Sequence, residues 1–362
     1  MKHETIQCSQ VMTRAKKGGK GGIWLLLTIA TLAALPAVAA KHSRQQKTAD
    51  HKKTHYRQIN LVSDIPGAAQ VRDTNLVNAW GITFSPTSPF WIGDNGTSKA
   101  TVYSVTNDAS GAPHVTTTTR VVTIPGPGKV TGQLFNNTTA FNTNAFIFAS
   151  GEGTISGWRP ALGSAAEVLV SRNTALYTGI ALATNNNGPI LLLANFKEGT
   201  LDEYDASLRL VAQFVDRNAP AGYAPFNVQN IGGTVFVTYA KQDATRQGVA
   251  LGRGRGLINI FVTANSTLIR FATGKALGGN VADMNSPWGV ALAPSSFGSH
   301  GDELLIGNFG SGTIMSFEAD GAFRGLLKSS EEGPVIIDGL WGLTFGKSGN
   351  SGVATDLYFT AG

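Results

Sequence analysis

The sequence predicts an all-β fold, a six-bladed β-propeller, from three observations: repetition at blade spacing, one strand-turn-strand pattern in each repeat, and no helix-period segment between repeats. From Leu61 onward a first-strand segment recurs as "NAWGITF" (78), "GQLFNNTTAF" (132), "YTGIALAT" (177), "YAPFNVQNI" (223), "SPWGVAL" (286) and "GLWGLTF" (339). The markers Trp80, Phe135, Ile180, Phe226, Trp288 and Trp341 stand roughly 45 to 62 residues apart, the period of propeller blades.

Behind most of these segments follows a second signature: "WIGDNGTSKATVYSV" (91), "FIFASGEGTISGWRP" (146), "LLLANFKEGTLDEYD" (191) and "LLIGNFGSGTIMSFEADG" (304). Each is an apolar strand, a Gly/Asn/Asp turn, and a Gly-Thr that opens an alternating strand. The fourth repeat diverges, with "GTVFVTYAKQD" and "LINIFVTAN" separated by the insert "ATRQGVALGRGRG". That insert lacks the spacing of a phosphate loop and reads as a surface excursion. A β-sandwich would leave the internal repeat unexplained.

Trp-Gly occurs three times at the start of a first strand, at Trp80, Trp288 and Trp341. First strands crowd one another at a propeller axis, which a glycine tolerates. The tryptophan beside it is expected to cover the seam between blades at the channel mouth.

The N-terminus carries a different signal. Lys16, Lys17 and Lys20 precede the apolar run "IWLLLTIATLAALPAVAA", which ends in a small-x-small triplet, so residues 1–39 read as a cleaved export signal, with Met12 an alternative start. The run is short for a bilayer span, so no membrane anchor is expected after cleavage. Residues 40–56 form a basic, polar, disordered linker, and residues 57–362 form the propeller. The only cysteine, Cys8, falls in the leader, which excludes disulfides and thiol chemistry from the processed chain. Of the net charge of +6, the leader and linker hold the basic excess, so nucleic acid is not an expected partner. The chain is expected to act outside the cytoplasm, periplasmic or extracellular, as a monomer.

"NLVSDIPGAA", "NLVNAWGI", "FIFASGEGTISGW", "VFVTYAKQD", "NSPWGVALAP", "LLIGNFGSGTI" and "IDGLWGLTFG" occur in this order between Asn60 and Gly346. With them the chain resembles an uncharacterised family of exported bacterial β-propellers, some of which carry a C-terminal sorting signal with a Pro-Glu-Pro motif. More distantly it is similar to NHL-repeat and gluconolactonase-type propellers. The resemblance implies a fold and export, with no established activity. Propellers often close by lending an N-terminal strand to the last blade, and "RQINLVSD" (57–64) is the expected outermost strand there, in a last blade one strand short.

Few residues suit catalysis. Past the leader and linker only His114 and His300 remain, and no Gly-x-Ser-x-Gly elbow is present, which argues against an ordinary serine hydrolase. The residues just before the first strands are better placed, because their loops gather at the channel mouth. Asp73, Asn75, Asn78, Asp283, Asn285 and Asp338 could supply oxygen ligands to Ca²⁺ or another divalent cation. A cation there could activate water against a lactone or ester, as the gluconolactonase-type resemblance implies. Trp80, Asn137, Asn227, Trp288 and Trp341 are candidates for ligand contacts. Two functions stay open: a non-catalytic binding module for a protein, glycan or small molecule, and a metal-dependent lactonase or esterase.

Overall fold

The computed structural model describes residues 8–14, 55–126, 129–329 and 333–362, the first of these segments by its backbone alone. The apolar run 23–40 and almost all of the linker lie outside the described residues. Within them the chain is strand and turn, helical only in four single 3-10 turns, and no helix is long and apolar enough to cross a membrane.

The fold is a β-propeller. Five four-stranded antiparallel sheets form blades 1 to 5, spanning residues 79–123, 130–171, 177–214, 223–273 and 287–326, with strands in chain order outward from the axis. A sixth sheet joins Leu340–Phe345, Leu357–Ala361, Cys8–Arg14, Tyr56–Ser63 and Val71–Arg72, in that order. Its innermost strand packs against those of blades 5 and 1.

This sheet departs from the expected three-strand end. Residues 8–14 pair antiparallel with both neighbours, Cys8 opposite Ala361 on one side and Ser63 on the other, so Tyr56–Ser63 lies one place further out than expected. The physical reason is edge satisfaction: Leu357–Ala361 is buried throughout, and an unpaired edge there would leave backbone donors and acceptors without partners. Tyr56, read as the end of the linker, is the first residue of its strand; its hydroxyl donates to the Phe297 carbonyl at 3.0 Å and its ring stacks on Phe297.

The hydrophobic core is divided between the sheets. Every neighbouring pair shares one apolar cluster: Leu192 of blade 3 meets Val237 of blade 4, for example, and Phe90 of blade 1 meets Tyr358 of the sixth sheet. A separate cluster of aromatic rings lies on the axis.

All six innermost strands carry the same irregularity, a register shift next to the Trp-Gly position or its equivalent. Such a bulge turns a side chain out of the pleat, here toward the axis. The residue after it is Gly81, Gly132, Gly179, Asn227, Gly289 and Gly342 in turn. A Cβ at Gly132 would lie 2.8 Å from the Ile180 amide nitrogen of blade 3; one at Gly342 would lie 2.8 Å from the Trp80 carbonyl oxygen of blade 1. At Gly289 it would fall on the Trp341 carbonyl oxygen. Blade 4 has Asn227 instead, whose Nδ2 donates to the Trp288 carbonyl of blade 5 at 2.8 Å.

Two outcomes are expected. Gly289→Ala should lower unfolding free energy by roughly 1–3 kcal/mol in urea titration, because the blocking atom is backbone and cannot swing aside. Residues 8–14 of the full-length chain should show slow amide exchange in hydrogen–deuterium exchange; fast exchange there would remove them from the sheet.

Candidate functional site

Alignment of the six registers gives the residue that each bulge presents at the axis: Trp80, Thr131, Thr178, Phe226, Trp288 and Trp341. Four positions are aromatic, and two neighbouring blades have threonine. The markers Phe135 and Ile180 read from the sequence in blades 2 and 3 therefore stand four and two residues beyond the equivalents of Trp80.

The rings make a plug centred on Trp341. Trp80 and Phe309 stack on its indole, with centroids 3.4 and 4.1 Å away, and Trp288 meets it edge-on at 5.6 Å. Phe226 lies 5.9 Å from it. Such pairs contribute about 0.5–1.5 kcal/mol each beyond burial. Two indole nitrogens have partners: Trp80 Nε1 donates to Asn78 Oδ1 and Trp288 Nε1 to the Thr178 carbonyl, both at 3.0 Å.

Where threonine replaces a ring, the plug leaves space. A cavity of about 440 Å³ opens there on the face that bears the loops leading into the first strands. Five of the six axial residues line it: Trp80, Thr131, Thr178, Phe226 and Trp341. Leu176, Phe196, Val249 and Phe309 add apolar wall. Both threonine hydroxyls are turned to backbone carbonyls, Thr131 Oγ1 to Tyr177 at 2.7 Å and Thr178 Oγ1 to Ala194 at 3.3 Å, so the methyl groups are left for the cavity. Trp80 is half-buried, while Trp341 and Phe226 beneath it are buried.

Polar groups stand at the rim. Lys129 Nζ pairs with Glu152 at 3.0 Å, and Asn95, Lys197 and Gln247 complete the circuit. Lys129 has left-handed backbone, φ 72°, as do Asn78 (53°), Ser286 (51°) and Gly339 (67°), each two residues before its axial side chain. The loop with Lys197 is fixed from below. Arg172 bridges Glu198 at 2.6 Å and the buried Asp202 at 2.7 Å, and Asn195 Nδ2 donates to both carboxylates. Val249 and Gln247 come from the divergent insert of blade 4, so that insert is part of the wall as well as a surface loop.

The candidate ligand residues divide between two ends. Trp80 and Trp341 line the aromatic cavity, whereas Asn137, Asn227 and Trp288 line a second one, of about 540 Å³, at the opposite mouth. There the walls are rich in amides, including Gln133, Gln229 and Asn230.

The three acids among the candidate metal residues, Asp73, Asp283 and Asp338, do not form one cluster. Among the described residues no three His, Cys, Asp or Glu side chains cluster. Asp73 accepts from the Asn75 amide and the Tyr103 hydroxyl at 2.9 Å each, and Lys99 Nζ donates to Asn75 Oδ1 at 2.6 Å. Asn78 is held by Asn95 and Trp80. Asp283 pairs with Arg253 at 2.7 Å, Asn285 Oδ1 accepts from the Gly252 amide at 2.8 Å, and Asp338 is exposed. Histidine chemistry is no better served. His300 Nδ1 meets both Glu303 at 2.8 Å and Ser316 at 3.1 Å, and Ser316 is fully buried. A nucleophile triad needs serine and acid on opposite ring nitrogens.

One acid near the rim is in tension with its surroundings. Asp94, just before Asn95, is fully buried with Thr101 as its hydrogen-bonding neighbour, and burial outweighs that contact and pushes its pKa well above the usual carboxylate range. Blades 3 and 5 have Asn195 and Asn308 at the same register position. A raised native pKa means the folded chain binds the extra proton, so this group's effect on stability worsens as pH rises above 3.8 toward the native value. Asp94→Asn should therefore raise the melting temperature more at pH about 7 than at pH about 4; an equal change at both would contradict this.

No protein-family model matches the chain. It is 30% identical over 304 residues to an uncharacterised protein of Acanthamoeba polyphaga mimivirus, covering 78% of this chain and 72% of that protein. A second uncharacterised mimivirus protein is 28% identical over 303 residues, covering 78% and 77%. Among solved structures, virginiamycin B lyase from Staphylococcus aureus aligns with 12% identity and a TM-score of 0.46, covering 79% of this chain and 78% of the lyase. A protein of unknown function from Bacteroides thetaiotaomicron aligns with 9% identity and a TM-score of 0.43, covering 79% and 70%. Nothing about activity passes from these two structures to this chain. The viral relatives lend no support to the bacterial, sorting-signal family expected from the sequence. At 30% identity across 72% of its relative, the chain belongs to the family of these uncharacterised mimivirus proteins.

Proposed function

We propose that this protein is an exported, six-bladed β-propeller that acts as a monomeric, non-catalytic binding module, with its ligand seated in the aromatic cavity at the channel mouth. The observation that carries the binding role is the pair of threonines in an otherwise aromatic axial ring. Trp80, Phe226, Trp288 and Trp341 close most of the channel, and Thr131 and Thr178 leave a recess floored by rings and rimmed by charge. Concave, mainly apolar sites with a few placed polar groups are the usual form of small-molecule sites. The only acid lining the cavity, Glu152, is engaged by Lys129, which favours binding over acid-base chemistry.

The six-blade reading is supported by the contacts between successive first strands, which run from blade 1 to the sixth sheet and back to blade 1. Export is supported by the leader-like residues 1–39. The two ideas meet at residues 8–14, which belong to the leader in one and to the sixth sheet in the other.

The binding role is tested with Nile red, a neutral probe whose emission rises in apolar sites. Saturable binding to the purified chain is expected. Thr178→Trp, which fills the recess, should weaken it at least 10-fold, while Gln229→Ala at the opposite mouth should leave it unchanged. Circular dichroism would check that both variants fold. Equal binding by Thr178→Trp would refute the assignment.

A further inference from the structure

We infer that the aromatic cavity selects a planar organic anion, such as an aromatic carboxylate, with Lys197 as the residue that sets the charge preference. This rests on the cavity being the binding site and adds the chemical class of what enters it.

Shape comes first. The accessible floor is the half-buried indole of Trp80, backed by the stacked indole of Trp341, with Phe196, Phe226 and Phe309 around it. A flat ring system can stack on that floor, and a volume of about 440 Å³ leaves room for one of two or three fused rings.

Charge follows from the partners of the rim groups. Three charged residues line the cavity: Lys129, Glu152 and Lys197. Lys129 and Glu152 cancel in their 3.0 Å pair. Lys197 has an acid as its sequence neighbour, Glu198, but that carboxylate is taken by Arg172, Asn195 and Gln213. Among the described residues no carboxylate pairs with the Lys197 ammonium, and the rim is left with one positive charge. The backbone at Lys197 is also held, because Gln242 Nε2 donates to the Phe196 carbonyl at 2.5 Å and to the Lys197 carbonyl at 3.3 Å. With the backbone held, only the side-chain rotamers of Lys197 remain to be ordered when an anion binds, which lowers the entropic cost. The ammonium is expected to meet the carboxylate while the rings stack below it.

The experiment is calorimetric titration of the full chain with naphthoate and with naphthamide, its neutral isostere, at low ionic strength. Naphthoate should bind at least 5-fold more tightly than the amide. Lys197→Gln, a change on the half-buried rim that leaves the core intact, should remove most of that difference, and added salt should act in the same direction. Equal affinities for the two probes, or a naphthoate preference that survives in Lys197→Gln, would overturn the charge assignment while leaving the cavity as a binding site. Failure of both probes to bind, together with Nile red binding unaffected by Thr178→Trp, would overturn the site itself.

Discussion

Six extended backbones meet around one axis, and the space between them is the constraint from which the rest follows. At that distance a side chain on the wrong residue collides with the next strand's carbonyl or amide, as at Gly132 and Gly289. The bulge at the same place resolves the conflict by separating two tasks: one residue gives up its side chain for close approach, and its predecessor is turned into the channel. Once this is fixed, the outer strands can differ in length and the loops in sequence without disturbing the centre. The divergent fourth repeat keeps its bulge at Phe226, although its long insert carries Val249 to the axial cluster.

The two mouths consequently have different chemistry although one strand builds both. Before the bulge the strand presents rings and loop residues fixed by left-handed backbone; beyond it, amides such as Gln229 and Asn230 face the opposite opening. Buried polar networks hold the aromatic mouth in shape. Arg172, Asp202 and Asn195 satisfy one another beneath the Lys197 loop and support its backbone. Asp94 occupies the position of Asn195 in blade 1 without a comparable set of partners, which couples the stability of blade 1 to pH.

Much of this was legible in the sequence, and the gaps have physical causes. The repeat and the Trp-Gly pairs revealed the innermost strands, the crowding and the sealing role of the indoles, because bulky and absent side chains leave strong signals side by side. Thr131 and Thr178 were invisible for the opposite reason: a threonine before a glycine is ordinary in any strand, and its meaning depends on what the other blades have at that position. The apolar signal of these blades falls instead on their neighbours Phe135 and Ile180. Candidate ligand residues chosen by type were divided between two openings, since a first strand runs the depth of the channel and proximity in sequence does not say which end a side chain reaches. Asp73, Asp283 and Asp338 share a place in the repeat, but each loop has its own local partners or exposure. The strand at 8–14 was masked by the leader-like residues that surround it.

The axial positions can also be written as a six-letter word, W-T-T-F-W-W, one letter per sheet. Backbone geometry dictates where each letter stands, while its identity decides how far the mouth is filled. In a relative, an aromatic letter in second or third place would spell a sealed mouth, and a further small letter would spell a wider one. The size of the recess in a relative is thereby reduced to a string that can be read from sequence alone, once the six bulges are in register.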